Sequence, residues 1–133
     1  MTVTRMRSRP ALAFPYATRA RPLTITTARR VTGASTRLAV AVLGEVDAGN
    51  AKAFADEVCA LIADATVVLL DLSGLDFMAV DGCTALHAIN AFVMRKSAVW
   101  SVIPSPGVSR VLALCDPACL IPLSRAEELA EPA

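Results

Sequence analysis

RLAVAVLGEVDAGNAKAFADEVCALIADATVVLLDL, residues 37–72, changes its hydrophobic period twice. RLAVAVLG (37–44) and VVLLDL (67–72) are apolar on both parities, the pattern of strands covered on both faces of a sheet. Between them Ala51, Phe54, Val58, Leu61 and Ile62 recur at three- and four-residue steps, while Lys52, Asp56, Glu57 and Asp64 fall on the other side. Residues 50–63 therefore read as an amphipathic helix. Two buried strands joined by a helix predict a parallel pair with a right-handed crossover.

The flanking sequence extends this unit. LTITTA (23–28) alternates and is rich in β-branched residues, as a half-buried strand requires, and Gly33, Ala34 and Ser35 turn the chain. After Ser73-Gly74 a loop runs through Phe77, and DGCTALHAINAFVMRK opens a second helix at or near Asp81, with Leu86, Ile89 and Val93 as its apolar seam. VWSVI (99–103) reads as a strand, Pro104 and Pro106 punctuate, and Val108, Val111, Leu112 and Cys115 mark a third helix over 107–115. LIPL (120–123) predicts a last short strand, and RAEELA a terminal helix behind the N-cap Ser124. The order implies an α/β sandwich, a mixed sheet of about five strands with about four helices.

The 133 residues, 55% hydrophobic and 19% charged, suit one domain with a full core. Asp71, Asp76 and Asp81 break the longest apolar region well short of the roughly 18 residues that span a bilayer, so no membrane role is expected. Residues 1–22 carry Arg5, Arg7, Arg9, Arg19 and Arg21 and no acid, a charge of +5. Residues 23–133 carry 8 basic and 12 acidic residues, a charge of −4 with no basic stripe, which argues against nucleic-acid binding. With Pro10, Pro15 and Pro22 and no periodicity, residues 1–22 are expected to be a disordered basic tail before a domain at 23–133. The apolar patch ALAF is too short for a secretory signal, so the cytoplasm is the expected compartment.

Phosphate-loop, dinucleotide and nucleophile-elbow motifs are missing, and no catalytic residue is assigned. His87, the single histidine, falls on a helix with no partner visible in sequence. Asp71, at the end of a buried strand, is expected to anchor the following loop by hydrogen bonds. Cys59, Cys83, Cys115 and Cys119 contain no C-x-x-C pair, so neither metal nor other cofactor is expected, and buried reduced thiols are the simplest reading. Cys83 near a helix start, with Cys115 and Cys119 around a loop, are the candidate redox residues.

Four segments taken together are more specific: LGEVDAGNA (43–51), VVLLDLSGLDF (67–77), Asp81-Gly82 opening a helix, and VIPSPGVSRVLAL (102–114). In order and spacing they resemble the STAS domain of bacterial anti-sigma factor antagonists, over residues 23–123. That family carries F-x-D-S-S-G-L, whose second serine opens a helix and is phosphorylated by a kinase that is also the anti-sigma factor. On this chain the motif falls on Phe77, Met78, Ala79, Val80, Asp81, Gly82 and Cys83, so Asp81 holds the phospho-acceptor position. Ala79 and Val80 replace the family's acid and first serine. The resemblance implies regulation of sigma-factor-dependent transcription, in the stress-response manner of the family, by binding an ATP-binding, kinase-like anti-sigma factor, with phosphorylation control lost.

The implied partner-binding residues are Gly44, Glu45, Asp47, Asn50, Ala79, Val80, Asp81, Gly82 and Cys83. Each also has a purely structural reading: Gly44 as a turn residue, Asn50 as an ordinary helix cap, Asp81 as an N-cap accepting from orphan N–H groups. Two other functions suit a STAS domain, a structural subunit of a larger lipid-transport or stress-sensing complex and a small-ligand sensor. The oligomeric state stays open.

Overall fold

A computed structural model describes residues 2–6 and 22–124. Its elements in chain order are β1 (Thr2–Met6), β2 (Leu23–Thr32), β3 (Ser35–Val46), α1 (Ala51–Leu61), β4 (Val67–Asp71), β5 (Leu75–Met78), α2 (Val80–Arg95), β6 (Val99–Ile103) and α3 (Pro106–Cys115). The sheet runs β1-β2-β3-β4-β6, with β5 pairing to β3. β1, β2 and β3 are antiparallel, whereas β3, β4 and β6 are parallel, as the helix between two buried strands predicts. Gly33, at φ 60°, makes the tight β2–β3 turn.

Alternation along each strand decides which face is covered. Leu23, Ile25, Leu38, Val40, Val42, Val68, Leu70 and Val102 are buried, while Thr24, Thr26, Ala39, Ala41, Leu69 and Ser101, on the other parity, are only half-buried. Phe54 and Val58 of α1 and Leu86, Ile89 and Val93 of α2 close the same core. Where the chain enters β6, the Lys96 ammonium donates 2.6 Å hydrogen bonds to the carbonyls of Ile62 and Ala65, just past the end of α1. The Trp100 indole N–H donates to Asn90 Oδ1 at 2.9 Å and fixes α2 against β6.

Three expectations change. Thr2–Met6 form an edge strand on β2, so the tail is not unstructured there; Thr2, Val3 and Thr4 favour extended backbone, and the prolines all lie further on. Residues 7–21 lie outside the described residues. Leu75–Met78 are strand rather than loop, because β3 continues five residues past Ala41, its last residue paired with β4, and that stretch needs its own ladder. LIPL, read as a strand, shrinks to one bridge between Leu123 and Val102, since Pro122 has no N–H to offer. There Val102 N–H donates to Pro122 O and Ser124 N–H to Val102 O, both at 2.8 Å, along the outer edge of β6. Three helices stand among the described residues, and the helix expected after Ser124 lies beyond them.

Lys96→Met keeps the aliphatic stem but removes the ammonium from two carbonyls, so it should lower stability by about 1–3 kcal/mol. Urea unfolding followed by the fluorescence of Trp100, the single tryptophan, measures it.

Candidate functional site

The site is organised by the far end of β3. Register pairs Glu45 with Phe77 and Val46 with Met78, and Ala79 N–H donates to Val46 O at 2.8 Å. The β3–α1 loop and the start of α2 are thereby held side by side. Between β4 and β5 the chain jogs at Ser73, whose N–H and hydroxyl both donate to Asp71 Oδ1, at 2.9 and 2.6 Å. Asp71 thus anchors the loop as its position predicts. Gly44 is buried at a bulge in the β3–β5 register, with φ 115°, a backbone that side-chain-bearing residues rarely adopt.

The loop from Glu45 to Asn50 is knit by two side chains. Asp47 Oδ1 accepts from Gly49 N–H at 2.9 Å and Asn50 N–H at 3.1 Å, an Asx-type turn. Asn50, 1% exposed, accepts from Asp47 N–H at 2.8 Å and donates its amide to Glu45 O at 2.9 Å. Asn50 occupies the N-cap position of α1, yet its side chain makes no capping bond and is spent on the loop behind it. It is a staple rather than an ordinary cap.

The second helix starts one residue earlier than Asp81. Ala79 is the N-cap, Val80 the first helical residue, and no side chain caps this end, so Asp81 sits in the first turn without capping it. The reason lies at Ala79, whose N–H is taken by Val46 and whose carbonyl receives Gly82 N–H at 2.8 Å. The Asp81 carboxylate remains exposed at the positive end of α2, a favourable place for an anion. Val80, 63% exposed, and Phe77, 49% exposed, flank it as apolar surface. On its other side is an open groove of about 380 Å³ between α1 and α2, floored by alanines and rimmed by Asp81, Thr84 and the Lys52–Asp56 ion pair of 2.8 Å.

Gly82 and Cys83 point the other way. Both are buried, and a Cβ on Gly82 would run into the Met78 side chain and stand 3.3 Å from Val46 Cγ1. Cys83 is disulfide-bonded to Cys115, the last residue of α3, 32 positions on, with Cα atoms 6.6 Å apart. The expectation of reduced thiols fails for this pair: α2 and α3 bring together sulfurs whose separation in sequence gave no hint of contact. Cys59 and Cys119 are free, Cys119 exposed and Cys59 half-buried; burial, with Asp56 nearby, pushes the Cys59 thiol up despite Arg95.

Cys115 leads directly into a corner the sequence did not reveal. Asp116 is buried, and its two carboxylate oxygens accept from Leu120 N–H and Ile121 N–H, each at 3.0 Å. His87, one turn beyond Cys83 on α2, brings Nε2 to 3.9 Å from Asp116 Oδ1 and so gains the partner missing from the sequence. Burial penalises the Asp116 charge, but the N–H groups of Ile121 and Leu120 and the nearby His87 outweigh it and hold the carboxyl below its usual range. The Asp-Pro step ending α3 was the signal available. The late Ser105-Pro106 pair has a local purpose as well: Ser105 caps α3, its hydroxyl accepting from Val108 N–H at 3.2 Å.

Among the described residues no three histidine, cysteine or acidic side chains converge to hold a metal, and no helix is long and apolar enough to cross a membrane. What the arrangement offers is a surface: a stapled loop, two exposed apolar side chains and an anion at a helix end.

Residues 26–130 match the family model of the STAS domain. The chain belongs to the STAS domain family. Among solved structures, an anti-sigma factor antagonist from Mycobacterium paratuberculosis aligns at 25% identity and a TM-score of 0.61, covering 80% of this chain and 90% of that one. The unphosphorylated form of the anti-sigma factor antagonist SpoIIAA shares 15% identity with a TM-score of 0.58 over 78% of this chain and 92% of its own. A putative anti-sigma factor antagonist from Thermotoga maritima shares 16% at a TM-score of 0.58, covering 77% and 90%. The last two show likeness of fold. No curated protein matches the sequence.

In this STAS domain Asp116 should be a measurable anchor. Its folded pKa is lowered, so its contribution is complete above the unfolded value of about 3.9 and lost as pH falls through the lower folded value. Asp116→Ala should cost about 1–3 kcal/mol at neutral pH. The gap from wild type should shrink in urea titrations below about pH 4.

Proposed function

We propose that this STAS protein is an anti-sigma factor antagonist that acts by recognition alone: it binds an ATP-binding, kinase-like anti-sigma factor and so frees a sigma factor for transcription. The observation that carries this reading is the exposed Asp81 in the first turn of α2, beside the stapled Glu45–Asn50 loop, in a chain of the STAS family. The antagonist from Mycobacterium paratuberculosis, matched over 90% of its length, supports the same class of partner.

The surface suits a protein partner. Val80 and Phe77 supply apolar area, Asp47 and Asp81 supply charge, and the loop is held by Asn50 before any partner arrives, which lowers the ordering cost of association. Gly44, Asn50, Gly82 and Cys83 shape this surface from beneath, and Glu45, Asp47, Ala79, Val80 and Asp81 form its edge.

Asp81 also accounts for how the protein departs from its relatives' motif. A phosphoserine in this first turn would bring a charge of about −1.5 to −2 and three acceptor oxygens, whereas a carboxylate brings a permanent −1 that no kinase adds and no phosphatase removes. Binding is set by the sequence and not by ATP.

With the host's anti-sigma factor and labelled ATP, the wild-type chain should stay unlabelled and Asp81→Ser should take up phosphate. Label on the wild type at Ser73 or Thr84, both exposed hydroxyls, would overturn this account. Asp81→Arg, on an exposed position, should weaken the complex by about tenfold or more in calorimetry while leaving the melting temperature unchanged. Unaltered binding would remove Asp81 from the interface.

A further inference from the structure

We propose that Cys83 and Cys115 are a reversible oxidation site that locks the start of α2 to the end of α3. That the locked surface meets an anti-sigma factor rests on the function proposed above, whereas the lock itself does not.

Placement gives the bond its effect. Cys83 is the fourth residue of α2, two positions after Asp81, and Cys115 is the last of α3. Directly after Cys115, Asp116 holds the amides of Leu120 and Ile121, and Ile121 is 2% exposed within the core cluster. His87 faces Asp116 from the next turn of α2. The disulfide, the His87–Asp116 contact and the 116–121 corner thus form one chain of attachments between the two helices. Opening the disulfide leaves the 3.9 Å His87–Asp116 approach to tie the corner to α2. α3 itself stays seated, because Val108 and Leu112 are buried in the core and Ser105 caps its first turn. The reduced chain therefore keeps its fold and loosens locally.

Exposure assigns the order of chemistry. Cys115 is half-buried and Cys83 only 3% exposed, so Cys115 is the sulfur that reagents reach. Its thiolate attacks one sulfur of a low-molecular-weight disulfide, RSSR, releasing RS⁻ and leaving a mixed disulfide on Cys115. The Cys83 thiolate then displaces the second RS⁻ and forms the Cys83–Cys115 bond. Two protons pass from the cysteines to the two leaving thiolates, so two protein thiols and RSSR become one protein disulfide and two RSH. A reducing dithiol reverses the sequence by attacking Cys115 Sγ.

Cys59 and Cys119 stand outside the bond; any glutathione that the exposed Cys119 takes up is read separately by its added mass, and Cys59, half-buried, is the internal control. The full chain is equilibrated with glutathione disulfide or with dithiothreitol, its free thiols are blocked with iodoacetamide, and it is weighed intact. At most two blocked cysteines are expected after oxidation, with no adduct on Cys83 or Cys115, and four after reduction. In parallel, amide hydrogen exchange should quicken on reduction by about tenfold at Leu120 and Ile121 and in residues 84–88 of α2, with β3 and β4 unchanged. A Cys83→Ser, Cys115→Ser double variant should exchange as the reduced chain does under both conditions. If that variant does not fold, reduction of the wild type answers alone. Three or four blocked cysteines after glutathione disulfide, or a disulfide that forms without slowing exchange at these amides, would overturn the proposal. Neither readout uses a partner, so failure to bind an anti-sigma factor and failure of the lock are separate results.

Discussion

The hydrogen bond from Ala79 N–H to Val46 O fixes the working end of the molecule. β3 is twelve residues long and, among the described residues, alone pairs with β2, β4 and β5, so its far end is built into the sheet through the β5 ladder. Val46 passes that rigidity to the first residue before α2. Ala79 is held extended, at φ −76° and ψ 168°, so the helix begins at Val80, and its dipole, its exposed acid and its buried glycine all take their places from that point.

Periodicity made the central unit readable. RLAVAVLG, the 50–63 helix and VVLLDL are each long and strongly patterned, and burial of their apolar faces dominates any competing local preference. What escaped was the part governed by pairing: β1 and β5 are strands because a neighbour offers free backbone groups, and no side-chain rhythm records that. The segments that meet at the far end of β3 were legible in their motifs and spacing, and the start of α2 within one residue. Its internal wiring was not. Asn50 as a staple, Asp116 as a corner post and the meeting of Cys83 with Cys115 all depend on distances through space.

Two acids near α2 show how environment divides one chemistry into two tasks. Asp116 is sealed and answered by two backbone N–H groups, so its charge serves the fold. Asp81 lies in the open, its charge facing solvent at the helix's positive end, and is available to whatever docks there. The same residue type thus serves the interior at one position and the surface at the other.

The bridge at Leu123 bears on how this molecule meets others. A bare strand edge is an invitation to any extended peptide, and β6 would present one if Pro122 and its neighbours did not lie along it. That flank is spoken for by the chain's own residues, with a proline that offers no further amide. Sideways annexation of the sheet at β6 is thereby discouraged. Crowding many copies together should accordingly favour encounters through helix ends and loops over runaway strand-to-strand growth on that flank.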